Sequence, residues 1–115
     1  MQDGTLDRPR RTVETVEDLL ADYIDVGAPL RGWKQSTVRA HRASAKVVTR
    51  HTRLGRMRAG RLERRDVQQA YADLAASGYS SATMGGVHTL LRMAFAAAVH
   101  DGTVTHDPTV VPAVT

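Results

Sequence analysis

The chain has 115 residues, 42% hydrophobic and 24% charged, enough for one domain that buries about 65% of its unfolded surface without disulfide or metal staples. It has no cysteine, which removes thiol nucleophiles, redox pairs and Cys-based zinc sites; Asp3 and Asp7 without an apolar h-region argue against a signal peptide, and the longest strictly apolar run, Met93 to Val99, falls far short of the about 20 residues a bilayer demands. The expectation is a soluble, cytoplasmic protein with no membrane contact, and its formal net charge of +4 is spread very unevenly.

Residues 1 to 11 are polar and proline-containing and read as a flexible lead-in. A first helix is predicted from about Val16 to Val26, because Val16, Leu19, Leu20, Tyr23 and Ile24 recur at helical spacing. Thr15 is its N-cap, Glu17 and Asp18 suit its first turn, and Gly27 with Pro29 ends it. A basic loop, Arg31 to Gln35, leads to a second helix from Ser36 as N-cap to about His51. At about 100° per residue, Arg39, Arg42, Lys46 and Arg50 form one stripe opposite Val38, His41, Ala45 and Val48. Residues 52 to 62 read as a loop pinned by Leu54, Met57 and Leu62. A third helix, about Arg64 to Ala76, carries Val67, Ala70, Tyr71, Leu74 and Ala75 at helical spacing and stops at Ser77 and Gly78. Ser80 or Ser81 caps the fourth, about Ala82 to His100, whose apolar face is Met84, Val87, Leu91, Ala94, Phe95 and Ala98. Val104 to Thr115, with Pro108 and Pro112, reads as an exit segment. No stretch alternates with period two, so the fold class is all-α, a compact four-helix arrangement.

Charge placement points to the partner. Residues 1 to 30 hold 3 basic and 7 acidic side chains, residues 31 to 65 hold 12 and 1, and residues 66 to 115 hold 1 and 4. No acid lies between Asp25 and Glu63. Ordinary surfaces intersperse the two signs, so a polyanion, nucleic acid first, is the expected partner.

Enzyme chemistry finds no foothold. The five histidines do not converge at ligand spacing, so no metal or cofactor is expected. Gly55 to Gly60 lacks a phosphate-loop ending, and the carboxylates of the first helix fit a solvated, dipole-favouring face. Trp33 reads as a core anchor, with stacking on DNA as the alternative. Gly85 and Gly86 inside the fourth helix have two readings: a helix that starts later, or a side-chain-free turn that lets another helix or a DNA backbone approach.

The order of elements resembles a known family. Thr15 to Ile24, Gln35 to Arg39, Leu54-Gly55, Leu62 to Gln68, Ser77 to Thr83, Ala98-Val99, and Asp101 to Val104 followed by His106-Asp107-Pro108 resemble the N-terminal core-binding domain of phage-integrase-type tyrosine recombinases. The resemblance covers about Thr12 to Val111, with Asp107 where that family usually has Asn. It implies a small SAM-like helical bundle that clamps crossover-site double-stranded DNA, followed by a linker from residue 112 to a separate catalytic domain that would be its partner. It also implies a monomer in isolation and an oligomer on DNA. The family's catalytic set has no counterpart here, so the resemblance implies a chain that binds and does not cut. Carried over by position, it sets the second and fourth helices against DNA. These contribute Ser36, Thr37, Arg39, Arg42 and Lys46, and Ser81, Thr83, Thr89 and Arg92, to which the charge pattern adds Lys34 and Arg50. A free-standing helical DNA-binding regulator and a basic protein-interaction module are the alternatives. Neutralising the acids Asp22 and Asp25 of the first helix is expected to leave the salt dependence of DNA binding nearly unchanged.

Overall fold

The computed structural model describes residues 13–109, in which the helices are α1 (Val16–Arg31), α2 (Gln35–His51), α3 (Arg64–Ala76) and α4 (Ser81–His100). The fold is an all-α, four-helix bundle, as the spacing predicts, with an isolated bridge between Thr15 and Arg58. The lead-in at residues 1–11 and the linker at 112–115 lie outside the described residues.

Thr15 caps α1 as expected. Its side chain accepts from the Asp18 amide at 3.2 Å while the Asp18 carboxylate accepts from the Thr15 amide at 3.1 Å, so two otherwise unpaired donors are satisfied. The far end differs from expectation, because α1 runs through Gly27 and Pro29 to Arg31. Pro29 removes one backbone bond in the last turn without ending the helix. The true terminator is Gly32, at φ 65°, where Trp33 N donates to Ala28 O at 3.1 Å and Gly32 N to Pro29 O at 3.3 Å. Gly27 has another job: a Cβ there would stand 2.5 Å from Arg31 Nη1, so its absence lets Arg31 fold back over α1.

The basic loop shrinks to three residues, Gly32 to Lys34, and α2 starts before Ser36. Its N-cap is Lys34, which provides no side-chain cap, and Ser36 lies inside the first turn. Residues 52–62 are more ordered than a loop. They form two 3₁₀ turns, Leu54–Arg56 and Ala59–Arg61, with Leu54, Gly55, Ala59 and Leu62 buried. At α3, Glu63 and Asp66 form a capping box, the Glu63 amide donating to the Asp66 carboxylate at 2.9 Å.

The core is built around α4, whose Val87, Leu90, Leu91, Ala94, Phe95 and Ala98 are buried against Leu20 and Ile24 of α1, Val48 of α2 and Leu74 of α3. By length and composition α4 could cross a bilayer, with a mean hydropathy of 1.2, but its apolar residues supply the centre of this core. The segment after α4 remains attached to the body. Val104, Pro108 and Thr109 are buried, His106 Nε2 lies 2.9 Å from Leu62 O, and the Asp107 carboxylate accepts from the Thr109 amide at 2.8 Å and from its hydroxyl.

Candidate nucleic-acid interface

α2 is amphipathic with an unusually thin inner face. Only Val48 is fully buried; Val38, Ala45 and Val47 are half-buried. The opposite face presents Arg39, Arg42, Lys46 and Arg50, all exposed, with Lys34 and Ser36 exposed at the start of the helix. A helix that buries so little is available as a surface element.

Three aromatic rings hold its N-terminal half. Trp33 packs edge-on against Tyr23, ring centroids 5.7 Å apart, and tilts against His41 at 4.7 Å. The Arg31 guanidinium lies 4.9 Å above the Tyr23 ring and 5.8 Å from that of Trp33, within cation–π range. Trp33 is thus the anchor the sequence suggests, and Arg31 is engaged with rings. Burial disfavours the charged imidazolium and holds His41 below the usual histidine range.

α2 and α4 pack directly and run antiparallel. The His51 ring lies 5.5 Å from that of Tyr79, while a Cβ on Gly86 would stand 3.1 Å from Ser44 Oγ. Gly86 is therefore a close-approach point between helices. Gly85, exposed, has nothing within 4 Å of a Cβ position and needs another explanation. Along α4, Ser81, Gly85, Thr89 and Arg92 are exposed on one face. Thr83 differs from its expected role: it is half-buried, its amide donates to Ser80 Oγ at 3.1 Å, and its hydroxyl accepts from the same Oγ. Thr37 is likewise half-buried.

One cation of the stripe is engaged. Arg42 Nη2 donates to Asp25 Oδ1 at 2.9 Å, both side chains being solvent-accessible, so α1 and α2 are linked across their charged faces. Arg39, Lys46 and Arg50 make no ion pair among the described residues. Four more arginines of the acid-free stretch, Arg53, Arg56, Arg58 and Arg61, are exposed as well; the Arg53 to Arg65 segment is where the sequence places the DNA surface if the α2 stripe is only a solvated face.

Elsewhere the chemistry is structural. Tyr71 Oη lies 2.7 Å from His88 Nδ1, joining α3 to α4, and burial raises the Tyr71 phenol well above its ordinary value. No group of three or more potential metal ligands occurs among the described residues. The groove of about 550 Å³ between α1 and the C-terminal half of α4 is lined mainly by side chains such as Leu19, Val26, Leu30, Met93 and Ala97. The chain matches no family model, no curated protein and no solved structure.

Proposed function

We propose that this chain is a duplex-DNA-binding module, the core-binding domain of a phage-integrase-type tyrosine recombinase, which grips DNA backbone while a separate catalytic domain performs strand transfer. The observation that carries the reading is the exposed Arg39, Arg42, Lys46, Arg50 stripe on a helix that buries only Val48, in a stretch without a single acid from residue 26 to residue 62. Phosphate contacts of this kind position a protein on DNA and supply most of its non-specific affinity. The uncapped first amides of α2, flanked by Lys34 and Ser36, suit a further phosphate. The exposed α4 face, where Gly85 presents bare backbone, lies on the adjoining helix. Tyr23 is buried, Tyr71 is hydrogen-bonded to His88 and Tyr79 rests on His51, which favours binding without cleavage by this chain alone.

The three-residue turn containing Gly32 supports a second reading, a free-standing regulator with α2 as recognition helix. Titration of labelled duplexes at several salt concentrations separates the two. The first reading expects weak, sequence-tolerant binding whose log affinity falls against log salt with a slope near −4 to −5, for about 4 to 6 phosphates neutralised. The second expects preference for one sequence of about a thousandfold or more. Replacing Arg39, Arg42 and Lys46 with Gln should weaken binding and flatten the slope by about one unit per lost contact, with stability changing by less than about 0.5 kcal/mol per site. Unaltered affinity and slope in that variant would remove α2 from the interface.

A further inference from the structure

The two 3₁₀ turns between α2 and α3 display Arg53, Arg56, Arg58 and Arg61 from a backbone that is fixed on every side. Thr52 locks the entry: its hydroxyl donates to Val48 O at 2.7 Å and accepts from the Leu54 amide at 3.1 Å, tying the first turn to the end of α2. Gly55 lies so close to α2 that a Cβ would stand 2.9 Å from the Thr49 Cα. Further on, Val16 N donates to Met57 O at 3.0 Å and Ala59 N to Glu14 O at 2.9 Å, so the segment is also stitched to the start of α1. Leu54, Ala59 and Leu62 are buried pegs, Gly55 is buried against α2, and all four arginines between or beside them are exposed.

None of these four guanidiniums has a carboxylate partner among the described residues, although Arg65 nearby finds Glu63 at 2.9 Å. Four unpaired like charges within nine residues repel one another, a cost that a line of phosphates would relieve. All are Arg, whose planar fork matches phosphate oxygens in pairs, and a preorganised backbone loses little freedom when the contacts form. The geometry points to this arginine-bearing turn pair as a second phosphate-binding surface, which prolongs the α2 stripe past Arg50 and grips the backbone of the same duplex. The inference rests on the DNA-binding reading and adds a separate set of contacts to it.

Two variants separate the two ideas: Arg53, Arg56, Arg58 and Arg61 all changed to Gln, and the α2 triple Gln variant, each titrated against a duplex of about 20 base pairs at several salt concentrations. The turn variant is expected to lose about 10-fold or more in affinity and two to four units of salt slope, with its helical circular dichroism intact. If it binds like the unaltered chain while the α2 variant fails, the turn surface is refuted and the α2 reading stands. If the turn variant fails and the α2 variant binds normally, the turn is the principal surface. If neither change matters, both ideas fall. Should the turn variant misfold, phenylglyoxal labelling of the unaltered chain decides: protection of these arginines by duplex supports the surface, and equal labelling with and without duplex overturns it.

Discussion

An alanine at position 55 would place its Cβ 2.9 Å from the Thr49 Cα, a backbone atom that cannot step aside. Gly55→Ala should therefore destabilise the protein by about 1–3 kcal/mol, as overpacked sites do. At Gly86 the obstacle is Ser44 Oγ at 3.1 Å, a side-chain end that can rotate, so the better helix propensity of Ala offsets the crowding and Gly86→Ala should fall within about 0.5 kcal/mol of neutral. At Gly85 nothing is in the way, and Gly85→Ala should stabilise by up to about 1 kcal/mol. Urea denaturation of the three variants checks the order. If DNA backbone approaches α4 at that bare turn, the same Gly85→Ala change should weaken duplex binding while strengthening the fold; unchanged binding would remove that turn from the interface. The sequence marks both glycines of α4 as anomalous but cannot separate them, because neighbours about 100° apart on a helix meet different surroundings. Only the position of α2 tells them apart.

The interior of each helix is legible in the sequence, and so are most ends, including both bounds of α3 and the C-termini of α2 and α4; the junction between α1 and α2 is not. Val16, Leu19, Leu20, Tyr23 and Ile24 recur at a spacing that leaves α1 little choice, and all are buried. Gly27 and Pro29 look like a stop, yet the αL cap at Gly32 closes the helix later, and Trp33, wedged between Tyr23 and His41, brings α2 in before Ser36. The arginines from Arg53 to Arg61 are legible as charge, but the order of their backbone is not: Gly and Arg signal a loop, while the buried Leu54, Gly55, Ala59 and Leu62 that fix the two turns act through long-range contacts. The aromatic junction between α1 and α2 also sets a pH response. His41 has a folded-state pKa below its unfolded value of 6.5 because burial disfavours its charge, so the unfolded chain binds the extra proton first. Its contribution is fully present above about pH 6.5 and is lost as the pH falls toward the lowered folded-state value. Thermal melts from pH 7.5 down to 5 should show this loss, and His41→Gln should flatten that part of the profile.

Among the described residues the acidic face of α1 and the cationic face of α2 are side by side, and the Asp25–Arg42 pair is where they meet. The contact ties Asp25 to the proposed DNA surface, although the sequence places it on a separate acidic face. Removing its charge leaves Arg42 available to a phosphate, so Asp25→Asn should raise duplex affinity by about 2- to 5-fold, in line with the worth of an accessible ion pair, and steepen the salt dependence. Salt titration of that variant is the check; an affinity equal to or below that of the unaltered chain would show that Arg42 faces away from DNA.

The backbone bonds from Val16 to Met57 and from Ala59 to Glu14 close a circuit that contains the whole of α1 and α2. The two helices inside it are joined by three residues and can find each other early, whereas closing the longer circuit carries a larger entropic cost and waits for them. Assembly therefore has an order. The cationic stripe of α2 is in place once the helical hairpin exists, the first arginine-bearing turn follows α2 through Thr52, and the second settles when the circuit closes around it.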